Sequence, residues 1–195
     1  MKIQVRWLSA AVVAGFLVSQ GVASATTITF ESAPAGTFPS YSESGATFTA
    51  FGGGGLLSAI SSPNGTRALL DNNSPRKTLR ADISGGTNFV SVDLGDFDAD
   101  ADTLFLNIFD SSNVLLGSTS QFIDASFTGM VTLSLSAPNI AYAQFGATAP
   151  AVNGSSVFAD NFTFSAAAPV PEPASLLLLG SGGLALLRWR RRSER

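Results

Sequence analysis

The sequence predicts an all-β fold, an antiparallel β-sandwich, and three observations predict it. Apolar and β-branched stretches are short, and several alternate with a period of two. Turn-forming clusters of Gly, Pro, Asn, Asp and Ser separate them at regular spacing. Fifteen phenylalanines fall mostly inside those stretches and supply a core without any helix.

Residues 1–25 read as a secretory signal peptide. Lys2 and Arg6 precede an apolar run from Trp7 to Val18, and Ala23-Ser24-Ala25 gives a small-residue cleavage site, with cleavage expected after Ala25. The run is shorter than the roughly 20 residues that a spanning helix needs.

The sandwich is expected over 26–165. Strands are expected at Thr27–Phe30, Ala46–Phe51, Arg67–Leu70, Thr78–Ile83, Asn88–Leu94, Thr103–Phe109, Val114–Leu116, Met130–Leu135, Ile140–Phe145 and Val157–Phe164. In TLFLNIFD, Leu104, Leu106 and Ile108 share one face, with Thr103, Phe105, Asn107 and Phe109 on the other. In MVTLSLS, Val131, Leu133 and Leu135 oppose Thr132, Ser134 and Ser136. Such alternation marks strands with one buried face. Turns are expected at Gly52–Gly55, Ser61–Gly65, Asp71–Pro75, Ser84–Gly86, Asp110–Asn113 and Ala137–Asn139. Residues 166–173 read as a stiff, Pro-rich linker.

Charge and composition narrow the function. Between Thr26 and Ala168, four basic and twelve acidic residues leave the body at −8, against −3 for the whole chain. Such a body repels phosphate backbones, so nucleic acid is not an expected partner. The chain has no Cys and no His, which excludes disulfides, thiol nucleophiles, His-assisted serine triads and His-ligated zinc. Paired carboxylates for glycoside hydrolysis stay open, but no pair stands out, and the expected protein is not an enzyme.

Two sets of carboxylates are candidate calcium ligands. Asp93, Asp96, Asp98, Asp100 and Asp102 crowd one stretch and repel one another unless a cation sits among them. Counted from Asp96, the sixth and twelfth places hold Ala101 and Asn107, so this is no EF-hand, and a solvated acidic turn is the alternative reading. Glu31 closes the first strand and Asp160 opens the last. In jelly-roll sandwiches of the galactose-binding-like type, those two strands lie close and hold a structural calcium; the alternative is two surface carboxylates. The Gly-rich loop at 52–55 lacks a phosphate-binding signature. Asn64, Asn72, Asn153 and Asn161 each begin an N-x-S/T triplet, which a Ser/Thr-rich chain produces by chance.

The C-terminus has three parts in order. Val170-Pro171-Glu172-Pro173 leads into an uncharged run over 174–187, and five arginines follow within 188–195. As a helix, that run would reach about 21 Å, short of a hydrocarbon core near 30 Å unless Trp189 and the arginines extend it at the interface. The positive-inside rule keeps the arginines cytoplasmic and the body outside, as the signal peptide also requires. Residues 169–193 resemble the PEP-CTERM sorting signal, also called the ice-binding protein C-terminal domain. No Thr-x-Thr ladder repeats along the chain, so the second name predicts no ice face.

The resemblance implies a Gram-negative bacterium that makes extracellular polysaccharide. It implies export by the Sec machinery and transient anchoring in the inner membrane by the apolar helix. An exosortase would then recognise Pro171, Glu172 and Pro173 and remove the tail. The body resembles, more loosely, the small β-sandwich proteins that carry this tail. The expectation is a cell-surface or matrix protein with a structural or adhesive role in extracellular polysaccharide; a carbohydrate-binding module is the alternative, and a glycoside hydrolase a remoter one. Outside the end segments, Tyr41 and Tyr142 are the only Tyr or Trp, which leaves a sugar-stacking platform few candidates.

Overall fold

The computed structural model describes residues 24–52, 54–59, 62–71, 78–97, 101–148 and 157–166. The signal segment before Ser24, the Pro-Glu-Pro motif, the apolar run and the arginine cluster lie outside them. Among the described residues there are strands and no helix: β1 (Ala25–Ile28), β2 (Gly36–Phe38), β3 (Ser40–Glu43), β4 (Ala46–Ala50), β5 (Leu56–Ala59), β6 (Ala68–Asp71), β7 (Thr78–Phe97), β8 (Asp102–Phe109), β9 (Leu115–Ile123), β10 (Thr128–Thr148) and β11 (Phe158–Ala166). All pairings are antiparallel, in the order β2-β5-β6-β11-β7-β10-β8-β9, with β1 on β11 and β3-β4 on β7.

Two long strands turn this sheet into a sandwich. β7 and β10 pair along their length, but their register breaks between Ser136 and Ile140 and again between Ile140 and Tyr142. Before the break, β7 pairs with β4; after it, with β11. Both strands therefore pass from one layer to the other at a shared corner, as strands do when they bend through a bulge. The expected turns at Ser84–Gly86 and Ala137–Asn139 are corrected here: they are the bends inside these strands. Gly85, Gly86 and Asn139 all adopt positive φ there, so the chain bends without ending the strand.

The first layer holds β3, β4, the start of β7, the end of β10, β8 and β9. The second holds β2, β5, β6, β11 with β1, the end of β7 and the start of β10. Phe162 of β11 meets Phe48 of β4 edge-on at 5.1 Å and Phe145 of β10 at 5.6 Å, so the rings bridge the layers. Phe30, Phe48, Phe145 and Phe162 are fully buried, and each such ring contributes about 1.5–3 kcal/mol. β8 alternates as expected, with Leu104, Leu106 and Ile108 buried. β2, β3, β5 and the stretch of β9 beyond Leu116 were not expected; their segments are short or dominated by Ser, Thr and Gly.

Candidate functional site

Two places gather polar groups in ways that packing alone does not require. The first joins the ends of the domain. β1 and β11 pair from Ala25↔Ser165 to Ile28↔Phe162, which brings the segments carrying Glu31 and Asp160 together. Each carboxylate stands beside a residue in left-handed backbone, Phe30 at φ 58° and Asn161 at φ 48°. A bulky residue such as Phe30 is strained there, whereas Asn tolerates it; Asn161 lies in a bulge of β11 between Asp160 and Thr163 that re-aims the neighbouring side chains.

Both carboxylates reach one turn, Ser62–Arg67. Glu31 Oε1 accepts the backbone N–H of Arg67 at 2.8 Å. Asp160 Oδ2 accepts Asn64 Nδ2 at 2.9 Å and the Thr66 hydroxyl at 2.6 Å, and its Oδ1 accepts the Asn161 N–H at 2.7 Å. Asn161 Nδ2 donates to Asp93 Oδ2 at 2.8 Å, and Thr132 donates to Asp93 Oδ1 at 2.6 Å. Asp160 is fully buried, and among the described residues no Arg or Lys pairs with it. Asn64, Thr66 and Arg67 are the partners that sequence reasoning missed; the turn itself was legible, its destination was not.

The acidic stretch divides. Asp93 belongs to this node. Asp96 and Asp102 are buried at the ends of β7 and β8, so those two are not solvated, while Asp98 and Asp100 lie outside the described residues. Among the described residues no three His, Cys, Asp or Glu side chains gather in a metal-binding group. Of the cleavage-site residues, Ala25 opens β1 and Ala23 lies outside the description.

The second place is the outer face of the first layer. Directly paired residues share a face, so the registers lay out rows across the strands. One row runs Ser42, Thr47, Asp82, Tyr142, Phe109, and the next Ser40, Thr49, Arg80, Gln144, Asn107, Ser118. Tyr142 stacks on Phe109 at 4.7 Å with the rings 7° from parallel, and the Arg80 guanidinium lies 3.7 Å from the Tyr142 ring centroid. Arg80 Nη2 and Nε donate to Asp82 at 2.6–3.1 Å. These bonds raise the Arg80 pKa against the opposing effect of partial burial. The Tyr142 hydroxyl donates to Asn113 at 3.0 Å.

Tyr41 is different. Its ring lies against Phe30 and Phe48, and its hydroxyl donates to Glu43 while Ser32 stands 2.8 Å away. Burial first, and then Glu43, push its pKa up. At the corner, Gly85–Asn88 and Asn139 border an open cleft of about 240 Å³, below the ≈ 300–1,000 Å³ usual for small-molecule pockets.

The described residues hold no helix long and apolar enough to cross a membrane. No curated protein matches the sequence. Among solved structures, an arabinose-bound α-L-arabinofuranosidase named MgGH51 is 15% identical with a TM-score of 0.45; the match takes in 70% of this chain but only 25% of that one. The K1 cleaved adhesin domain of Lys-gingipain from Porphyromonas gingivalis W83 is 10% identical, TM-score 0.47, over 74% of this chain and 99% of that one. A family 29 carbohydrate-binding module from Piromyces equi is 8% identical, TM-score 0.44, over 78% and 97%. The C-terminal segment is more specific. Residues 169–192 match the family described as the PEP-CTERM protein-sorting motif, which implies an exported protein processed by an exosortase. With Pro171-Glu172-Pro173, the apolar run and the arginines in order, the chain carries a PEP-CTERM protein-sorting motif at its C-terminus.

Proposed function

We propose that the exported domain is a non-catalytic component of extracellular polysaccharide, with a structural or adhesive role at the cell surface or in the matrix. The sorting motif at 169–192 carries this reading. The signal-peptide pattern at 1–25 supports it, since both ends then send the body outward. Glycoside hydrolysis needs two carboxyl groups open to substrate and water. Asp93 and Asp160, paired across β7 and β11, do not serve: Asp160 is sealed from solvent and both are engaged by neighbours.

The same reading gives the domain a structural calcium at the Glu31–Asp160 node. A buried carboxylate without a cationic side chain beside it is costly, and calcium accepts amide, hydroxyl and carbonyl oxygens along with carboxylates. Glu31 and Asp160 would supply the charge, and the Ser62–Arg67 turn the neutral oxygens. The ion would offset the buried charge and tie the first and last strands to that turn.

Intact mass of the protein from its producing cells, in envelope, matrix and medium fractions, tests the sorting reading. Loss of 1–25 with a new C-terminus near Pro171–Pro173 in the matrix fraction is expected. A mature chain ending at Arg195 and confined to the envelope would make the tail a lasting anchor.

A further inference from the structure

We infer that the outer face of the first layer binds a neutral glycan through a lane made by Arg80, Gln144, Asn107 and Ser118. This inference rests on the polysaccharide-associated role proposed above and gives it a surface. The lane crosses five strands from Thr49 to Ser118, about 19 Å at the usual strand spacing, room for several sugar rings.

Three observations carry it. Gln144 and Asn107 lie side by side, half buried, and among the described residues their side-chain amides make no hydrogen bond. Amides held in a sheet face with unused donors and acceptors suit sugar hydroxyls, which also donate and accept. Next, aromatic rings border the lane on both sides. Phe109, stacked on Tyr142, flanks one side; Phe105 flanks the other, beside Gly146, which has no side chain to cover it. The apolar C–H face of a sugar ring packs on such rings. Third, the lane is electrically balanced. Its one charge, Arg80, is matched by Asp82, and both remain solvent-accessible at 30% and 48%. The body's charge of −8 disfavours a polyanion, which leaves a neutral polymer as the ligand class.

The test uses the exported protein purified from its producing cells. Its probes are a β-1,4-glucan, a β-1,4-xylan and a mannan as neutral polymers, with a polyuronate as the anionic one. Saturable binding to at least one neutral polymer is expected, unchanged when ionic strength rises by about an order of magnitude. Asn107→Ala and Gln144→Ala should each weaken it about tenfold, with melting temperature preserved, because neither amide supports the fold. Ser134→Ala, on the exposed face of the second layer, should bind as the parent does. Absence of binding to every neutral polymer, lane variants that bind like the parent, or binding only to polyuronate with steep salt dependence would each overturn the lane. Fractionation separates this from the wider reading. A parent found in the matrix that binds no neutral polymer defeats the lane alone; one absent from the matrix that still binds a glycan defeats the matrix role alone.

Discussion

Glu31 and Asp160 fasten one turn from two sides: Glu31 accepts the Arg67 N–H at 2.8 Å, and Asp160 accepts the Thr66 hydroxyl at 2.6 Å. The first and last strands are thereby fixed to the same six residues. Asp160→Ala removes the charged acceptor shared by Asn64, Thr66 and the Asn161 N–H and should cost about 2–3 kcal/mol, read by urea denaturation. Excess calcium should raise the parent's melting temperature over that in chelator and leave the variant's unchanged, since a ligand held only by the folded state stabilises it. Equal parent midpoints in calcium and chelator would remove both the node and the Asp93–Asp102 stretch as calcium sites.

Gly95 sets how closely β7 approaches β10. A Cβ there would stand 1.9 Å from the Gly129 carbonyl oxygen and 2.6 Å from the Met130 sulfur. Backbone cannot yield as a side-chain tip does, so Gly95→Ala should destabilise by about 2–3 kcal/mol. At Gly117 a Cβ meets only ordinary contacts, the nearest at 3.5 Å, and Gly117→Ala should be far milder in the same denaturation assay.

Phe162 is the ring through which the layers meet, edge-on to Phe48 and tilted to Phe145. Phe162→Ala should cost about 3–5 kcal/mol by calorimetry or denaturant titration. Phe122, 63% exposed on the outer face, should lose less than about 0.5 kcal/mol on the same change.

Tyr41 gives the domain an alkaline limit. Its pKa lies above the ordinary 10.0 because burial and then Glu43 disfavour the phenolate. The folded state therefore holds its proton more tightly than the unfolded chain does. This contribution is complete below the ordinary value and is lost as pH rises from there through the folded-state value. Denaturation midpoints should fall above about pH 10, and Tyr41→Phe should flatten that fall.

On the proposed sorting role, the Pro-Glu-Pro segment is a substrate of the processing enzyme. Replacing Pro171, Glu172 and Pro173 together by Ala should leave the tail attached, so that mass spectrometry finds chains ending at Arg195 in the envelope fraction. Processing at the normal position would show that recognition lies elsewhere in 169–192.

Strands with strict alternation were legible. β8 reads directly from TLFLNIFD, and its two faces fall where the period of two puts them. The bends were misleading, because Gly85, Gly86 and Asn139 give the same local signal whether a strand ends or turns a corner; only pairing to a second long strand decides. β2 and β3 carry too few apolar residues to announce themselves and exist because β5 and β4 offer them edges. At the node, Glu31 and Asp160 were visible as carboxylates at strand ends, but their common turn depends on contacts distant in sequence. The outer-face lane was half legible: the sequence puts Phe105, Asn107 and Phe109 together, while register alone brings Gln144 and Arg80 beside them.

The shared corner of β7 and β10 has a consequence for survival outside the cell. Each of these strands belongs to both layers, so no cut separates one layer from the other without severing a strand. Opening of one layer pulls on strands that the other layer shares, which disfavours stepwise opening. Amide hydrogens on both sides of the corner should therefore exchange at one common, global rate. A protease would meet either the closed sandwich or a fully opened chain, with little between. In a chain that has no disulfide to hold a half-opened state together, this all-or-none character does the work of a covalent staple.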